Sequence, residues 1–260
     1  MATAYDCPVR LPGSVVVVTG AASGIGRATA NGLLLRGARI VAVDTDAEGL
    51  HAFAGDGRVT AMTIDVADPD HADRIVQTTL EAHDRIDAVV ANAGVGYVGE
   101  FATMPAAMIS TLLDVNFRAP ILLARAALPS MIDAGQGALV FTSSIVGVVP
   151  QPTESAYCAS KTALEAFAES LREEVRPHGI AVSTIRPGVV RTAFHDHRNT
   201  PYGRRFPRPM EPEKIADIIA GMLERGTEHR TVPGWLDLAA QAHRRVPWLY
   251  GPLARRFGGT

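Results

Sequence analysis

Cysteine is almost absent from these 260 residues: only Cys7 and Cys158 occur. Two are too few for a disulfide framework, and a reducing compartment is the expectation. An excess of charge of one sign is missing too. The 25 Lys and Arg stand against 27 Asp and Glu, a formal net charge of -2, so nothing marks a nucleic-acid partner and none is expected. No stretch approaches the ~18 unbroken apolar residues of a membrane span, and Asp6 and Pro8 stand where a signal peptide needs an apolar run. A cytoplasmic protein follows as the expectation. Metal-ligand clusters are lacking as well: His195-Asp196-His197 has no companion group at ligand spacing, so no metal is expected. Lysine is scarce, present only as Lys161 and Lys214.

What the chain does have is apolar material for a core, at 47% hydrophobic and 20% charged residues. Its order alternates. A β-branched run at Ser14 to Val18 ends in a Gly-rich turn and a helical pattern to about Arg36. Strands follow at Arg39 to Val43 and Val59 to Ile64, a helix at Pro69 to His83, and a strand at Ala88 to Ala91. Helical stretches around Met108 to Met131 lead to a strand at Ala138 to Thr142, a helix from about Ala156 to Val175 and a strand at Ala181 to Arg186. Near-continuous Val, Ile and Ala in the strands suit a parallel sheet covered on both faces. The expectation is an α/β protein, a Rossmann-type doubly wound parallel sheet in a single domain. Its core would span 14–192, with a substrate loop and lid over about 193–226 and a C-terminal extension over about 230–260. Residues 193–212, rich in proline and arginine, read as a loop. A helix at Pro212 to Arg225, a short strand at Arg230 to Val232 and a helix from Trp235 to Arg244 close the pattern.

The first turn reads Thr19-Gly20-Ala21-Ala22-Ser23-Gly24-Ile25-Gly26. Glycines let backbone approach a pyrophosphate, and free amides at a helix N-terminus favour its charge. Tight packing alone would also explain such a turn. Asp44 closes the second strand 24 residues after Gly20, where a carboxylate can accept both hydroxyls of an adenosine ribose; a capping or surface role is the alternative. That carboxylate would repel a 2'-phosphate, and neither Ser23 nor Thr45 brings positive charge, so NAD is expected rather than NADP.

Tyr157 and Lys161 are four apart on an expected helix and leave from one face. An ammonium favours phenolate, and with a positive nicotinamide it would lower the phenol's pKa from its usual value near ~10. A solvated helix face is the plainer reading of such a pair. Ser144, 13 residues before Tyr157, would bond the substrate oxygen, with Ser143 competing for that role. Asp65, Asn92, Gly94, Pro187 and Gly188 follow other strands, at the sheet edge where ligands bind.

With these residues assembled, the chain resembles the short-chain dehydrogenase/reductase family over residues 14 to 192. The resemblance rests on Thr19 to Gly26, Asp44, Asp65 with Val66, Asn92-Ala93-Gly94, Asn116, Ser144, Tyr157 with Lys161, and Pro187-Gly188 with Thr192. It implies Tyr157 as general acid/base, Ser144 orienting the substrate, and Lys161 binding the nicotinamide ribose while lowering the Tyr157 pKa. Asn116 completes the set by holding a water that leads to the lysine. The cofactor would lie along Gly20, Ser23, Gly24, Ile25 and Gly26, with Asp65 and Val66 at the adenine and Asn92, Ala93 and Gly94 along the adenosine ribose side. Pro187, Gly188, Val190 and Thr192 would lie toward the nicotinamide amide. Ala91 replaces an Asn common in the family. Val232-Pro233-Gly234-Trp235 and a further helix replace a Gly-rich C-terminal segment, so a homodimer through the long helices near Leu112 and Leu164 is expected rather than a tetramer.

Val95, Val146, Val148, Gln151, Phe194, Tyr202 and Phe206 should face the substrate, which points to a hydrophobic secondary alcohol or ketone. Loop packing is the alternative for the aromatics, and Arg204, Arg205 and Arg208 would attract an acidic group if they faced inward. The stretch from Trp248 to Arg256 is expected to pack over the site or at a subunit contact rather than on a membrane surface. A non-catalytic NAD-binding scaffold, and an isomerase or lyase that borrows the hydride, remain open beside the dehydrogenase reading.

Overall fold

A computed structural model of the protein describes residues 9–198 and 208–245. Its elements run β1 (Val15–Thr19), α1 (Gly24–Leu35), β2 (Arg39–Asp44), α2 (Ala47–Leu50), β3 (Val59–Thr63), α3 (His71–His83), β4 (Ala88–Ala91) and α4 (Ala106–Leu113). Next come α5 (Ala119–Ala134), β5 (Gly137–Thr142), α6 (Ser155–Val175), β6 (Ile180–Pro187), α7 (Pro212–Arg225), β7 (His229–Val232) and α8 (Leu236–Arg245). The seven strands form one sheet in the order β3-β2-β1-β4-β5-β6-β7, and each neighbouring pair is parallel. This is the doubly wound Rossmann-type arrangement expected.

The apolar runs in the strands have a direct structural cause. Val16 and Val18 of β1 pack with Leu33 of α1 and Ile215, Ile219 and Leu223 of α7, while Val15 and Val17 face the layer of Ile75 of α3, Leu123 and Met131 of α5 and Leu164 of α6. Successive side chains alternate between faces, and both faces are covered, so neither set can be polar. Chain order reverses between β1 and β4, which opens a crevice at the carboxyl edge where β1 ends in the Gly-rich turn.

Several elements depart from the expectation. The helix expected from Pro69 starts at His71. The helical stretch over 108–131 is one run in which a π-turn, Asp114–Arg118, joins α4 to α5. Length and composition would let the run Ala106–Ala134 cross a membrane, yet here Leu123, Ala127 and Met131 bury one face against the sheet layer. The connection from β2 to β3 holds only α2 and a short 3-10 turn, His51–Phe53, and β3 keeps a half-exposed character. A 3-10 helix, Ala193–Arg198, stands at the start of the expected loop. α7 is a core helix, so the lid expected over 193–226 does not extend through it: its period of Ile215, Ile219 and Leu223 places it in the sheet layer beside α1. Leu112 and Leu164 are buried within the chain's own core, which overturns them as subunit contacts. Residues 246–260, where the Trp248 to Arg256 stretch lies, are outside the described residues.

Candidate active site

The Gly-rich turn is built by close approach. A Cβ on Gly26 would sit 1.9 Å from the Gly20 carbonyl oxygen, and Gly24 adopts φ +49 with space for a Cβ only 2.9 Å from Thr192 Cγ2. A side chain at either position would push the turn off the strand ends, which is why glycine stands there. Ser23 heads α1 without a side-chain capping bond; an uncapped helix N-terminus offers amides to an anion. The contact from Gly24 to Thr192 brings the two ends of the expected cofactor track together across the crevice.

At the next strand end, Asp44 is aimed by its backbone neighbours: Ala22 N–H donates to Oδ2 at 2.9 Å and Asp46 N–H donates to Oδ1 at 3.1 Å. Asp46 adds a second carboxylate at this corner and caps α2 by accepting from Gly49 N–H at 2.9 Å. The nearby guanidinium of Arg27 donates to the Gly49 carbonyl at 3.2 Å. Asp65 accepts from Ala67 N–H at 2.8 Å, and Val66 is buried against Ala93, Val115 and Ala119.

Asn92 acts as a brace. Its backbone N–H donates to Thr19 Oγ1 at 3.0 Å and its Nδ2 to the Thr19 carbonyl at 3.1 Å, while its Oδ1 accepts from Thr142 Oγ1 at 3.3 Å. Ala93 N–H donates to the same Thr19 hydroxyl at 3.0 Å. Three strand ends are thereby locked in register. Pro187 lies in β6, opposite Val232 of β7; Gly188 N–H donates to the Val232 carbonyl at 2.7 Å, and Val190 bridges to Met210.

The reacting end lies on α6 and the β5 edge. Tyr157 is 6% exposed and Lys161 4% exposed. The Ser144 hydroxyl lies close enough to the Tyr157 phenol to act on its pKa, and Ser144 Oγ accepts from Val146 N–H. Ser143 points elsewhere: it is buried and its Oγ has no hydrogen-bond partner among the described residues. Geometry therefore separates the two serines in favour of Ser144. Lys161 Nζ donates to the Thr142 carbonyl at 2.9 Å. A Cβ on Gly94 would lie 3.6 Å from that Nζ and 3.1 Å from Asn116 Oδ1, so this glycine keeps open the space beside both. Asn116, fully buried, donates from Nδ2 to the Val95 carbonyl at 2.8 Å and to Ser160 Oγ at 3.3 Å, and accepts from Val95 N–H at 2.9 Å. It sits in the π-turn, a device that recurs at functional sites.

Burial governs the charges here. Desolvation, the largest influence, pushes the Tyr157 phenol up to about 12; the Ser144 hydrogen bond works against it. Desolvation likewise pulls Lys161 down to about 8, opposed by the Glu165 carboxylate one turn on.

Around Tyr157 the structure gathers Val95, Tyr97, Met104, Met108, Val146 and Phe194. Gln151 instead turns its amide to the Val149 carbonyl. Tyr202, Phe206, Arg204 and Arg205 lie outside the described residues, and Arg208 is exposed. No group of three or more metal-ligating side chains occurs among the described residues. Sequence reasoning missed Thr142 and Ser160, which act through single strand-end or helix atoms, and named Thr19 only as the start of the turn. Their signal is only that Thr and Ser recur where strands end.

The residues present fit a dinucleotide: a turn that tolerates no Cβ, an uncapped helix start, and a carboxylate aimed by two amides. Comparison with known proteins agrees. The family model described as short chain dehydrogenase matches residues 14–203. Dehydrogenase/reductase SDR family member 7B of Bos taurus is 33% identical over 256 residues, covering 91% of this chain and 79% of that protein. 1-Deoxy-11-beta-hydroxypentalenate dehydrogenase of Streptomyces exfoliatus is 35% identical over 219 residues, covering 81% of this chain and 80% of that one. The crystal structure of a short-chain dehydrogenase from Streptomyces avermitilis matches with TM-score 0.80 at 28% identity, covering 95% of this chain and 97% of the other.

Proposed function

From the premise that the chain belongs to the short-chain dehydrogenase/reductase family, oxidoreductases that use nicotinamide cofactors, we propose that it interconverts a hydrophobic secondary alcohol and its ketone with NAD. The observation that carries this reading is the buried Tyr157 phenol within reach of the Ser144 hydroxyl, with Lys161 one turn along α6 and its Nζ between the β5 end at Thr142 and Gly94 after β4. When bound, the nicotinamide would supply the two-electron exchange with the substrate carbon.

The chain's own residues do the rest. Tyr157, held protonated by burial, gives its proton to the oxygen of a ketone or takes it back from an alcohol. Ser144 holds that oxygen in line by sharing hydrogen bonds with it and with the phenol. Lys161 is anchored by one N–H on Thr142, which leaves two donors for ribose hydroxyls beside Gly94. Asn116 fixes the backbone of Val95, so the apolar wall above Tyr157 keeps its position and excludes water.

NAD rather than NADP is supported by the charge at the adenosine corner. Two carboxylates, Asp44 and Asp46, stand there, and Arg27 is turned to a carbonyl. A hydrophobic substrate is supported by the Val, Met and Phe lining, and one relative's name gives a hydroxy compound as its substrate. A cytoplasmic homodimer completes the proposal. The two-cysteine composition supports the compartment, and the exposed Leu113 and Ile132 on the α4 to α5 run offer the contact face.

The test is a panel of hydrophobic alcohols and ketones followed by nicotinamide absorbance with both cofactors. We expect turnover with NAD(H), and kcat/KM lower by at least about tenfold with NADP(H), the cost of placing a phosphate against an aimed carboxylate. Equal efficiency overturns the cofactor assignment; silence across the panel overturns the reaction.

A further inference from the structure

The 3-10 helix Ala193–Arg198 is tied back to the start of α6 at its far end. Arg198 Nη2 lies 2.8 Å from Glu154 Oε1, with the two side chains 14% and 15% exposed. Glu154 is the N-cap residue of α6, three positions before Tyr157. The Arg198 carbonyl accepts from Val98 N–H at 3.1 Å, and the adjoining Gly99 N–H donates to the Thr153 carbonyl at 2.9 Å. One short segment, the loop after β4 and the entrance to α6 are thus stitched together.

Phe194 lies inside this stitch. Its ring is 5.9 Å from the Tyr157 ring at an interplanar angle of 47°, and the Arg198 guanidinium carbon stands 5.9 Å from the Phe194 centroid. The opposite side is closed by backbone: a Cβ on Gly96 would meet Phe194 Cζ at 2.7 Å and Arg198 Cγ at 2.8 Å. The ring is therefore boxed between Tyr157, Arg198 and a position that only glycine fits. An ion pair with little water around it holds its geometry more firmly than a surface pair does, because losing either partner strands a desolvated charge.

We propose that Glu154 and Arg198 are positioning residues that hold Phe194 over Tyr157 as a fixed wall, so that Phe194 sets the bulk of the substituent accepted beside the reacting carbon. The proposal rests on the oxidoreductase reading for the word substrate, and on geometry alone for the wall. The ketones it favours carry one small substituent, turned to Phe194, and one large apolar group, turned to Met104 and Met108.

Charge supplies a second signature. The groups acting on the phenol are Ser144 from the β5 edge, Glu154 and Cys158 from α6 and Arg198 from the 3-10 helix; Tyr97 from the loop after β4 packs in the same cluster, His195 stands against Phe194, and Lys161 lies one turn along α6 with its Nζ on Thr142. Glu154 pushes the phenol up and Arg198 pulls it down. Removing Arg198 takes away its downward pull, so alcohol oxidation, which needs phenolate, should begin at higher pH. Removing Glu154 should move the same limb to lower pH. A merely structural lesion would not displace the two variants in opposite directions.

The experiment compares wild type with Arg198→Met, Glu154→Gln, Gly96→Ala and Phe194→Ala. Hydrogen exchange at the Val98 amide, which needs no turnover, should rise at least about tenfold in the first two variants, because their carbonyl partner loses its anchor. The ratio of kcat/KM for an aryl ketone with a bulky second substituent to that for the matching methyl ketone should rise at least about tenfold in Phe194→Ala. It should shift the same way in Arg198→Met and Glu154→Gln, and change in Gly96→Ala without a change in pH profile. Unchanged Val98 exchange in both charge variants overturns the stitch. A substrate ratio that moves only in Phe194→Ala overturns the positioning role. Wild type silent toward every ketone overturns the oxidoreductase reading instead, and the wall is then judged on Val98 alone.

Discussion

Lys161 carries an ammonium into a place 4% exposed, and that has a thermodynamic signature separate from catalysis. Its pKa falls from 10.5 to about 8 in the folded protein. Between those values the unfolded chain binds more protons than the folded one, so stability rises with pH. Tyr157 acts the other way: its pKa rises from 10.0 to about 12, and its contribution, complete below pH 10, is lost only above it. From pH 8 to pH 10 the lysine therefore acts without the tyrosine opposing it, and the gain is on the order of 2 kcal/mol. Urea unfolding of wild type and Lys161→Met at pH 7.5 and pH 10 checks this. Wild type should gain on the variant as pH rises, and a difference that stays constant with pH contradicts the assigned burial. At this scale the spacing of Tyr157 and Lys161 was legible because a helix converts four residues into one face. The choice between Ser143 and Ser144 was not, since it depends on which way the chain turns as it leaves β5. The role of the Thr142 oxygens was illegible for a similar reason: they act at a strand end, and nothing in composition separates that from an ordinary threonine.

Among the elements, the π-turn Asp114–Arg118 does the most to shape the site. It carries Asn116 into a fully buried position, where one side chain satisfies both the N–H and the carbonyl of Val95. Asn116→Ala would leave both backbone groups without that partner, and unpaired buried polar groups cost about 1–3 kcal/mol each. A loss of about 3 kcal/mol in urea unfolding is expected, together with at least about tenfold lower kcat as the wall above Tyr157 loosens. A loss under about 0.5 kcal/mol would place Asn116 outside the framework of the site. The sequence Asp114-Val115-Asn116-Phe117 reads as ordinary helix, because a π-turn changes the hydrogen-bond count without changing the apolar pattern. α7 was read correctly as a helix but misplaced as lid. Its period of Ile215, Ile219 and Leu223 shows that it has a buried face and does not say against what. The short 3-10 helix Ala193–Arg198 escaped because its neighbourhood is rich in proline and arginine, and its packing comes from Tyr157 and Gly96, far off in the chain.

At the scale of the molecule, one alternation of strand and helix does the organising. Strands with two covered faces must be apolar throughout, which made the sheet readable, and parallel pairing sends every strand's carboxyl end to one edge. Residues separated by up to 173 positions, from Thr19 to Thr192, meet there without any local signal that they are neighbours. That convergence on one edge is legible from the order of the strands alone. Subunit contacts were not legible in the same way: Leu112 and Leu164 share the apolar character of surface anchors yet lie in the core. On the proposed function Tyr157 moves the proton at this edge, and Tyr157→Phe isolates that role, since the change removes one hydroxyl from a buried ring. NADH affinity, read by fluorescence, should stay within about threefold of wild type, while kcat falls by about 10²–10⁴. A variant that binds NADH normally and keeps kcat within about tenfold of wild type would contradict the account.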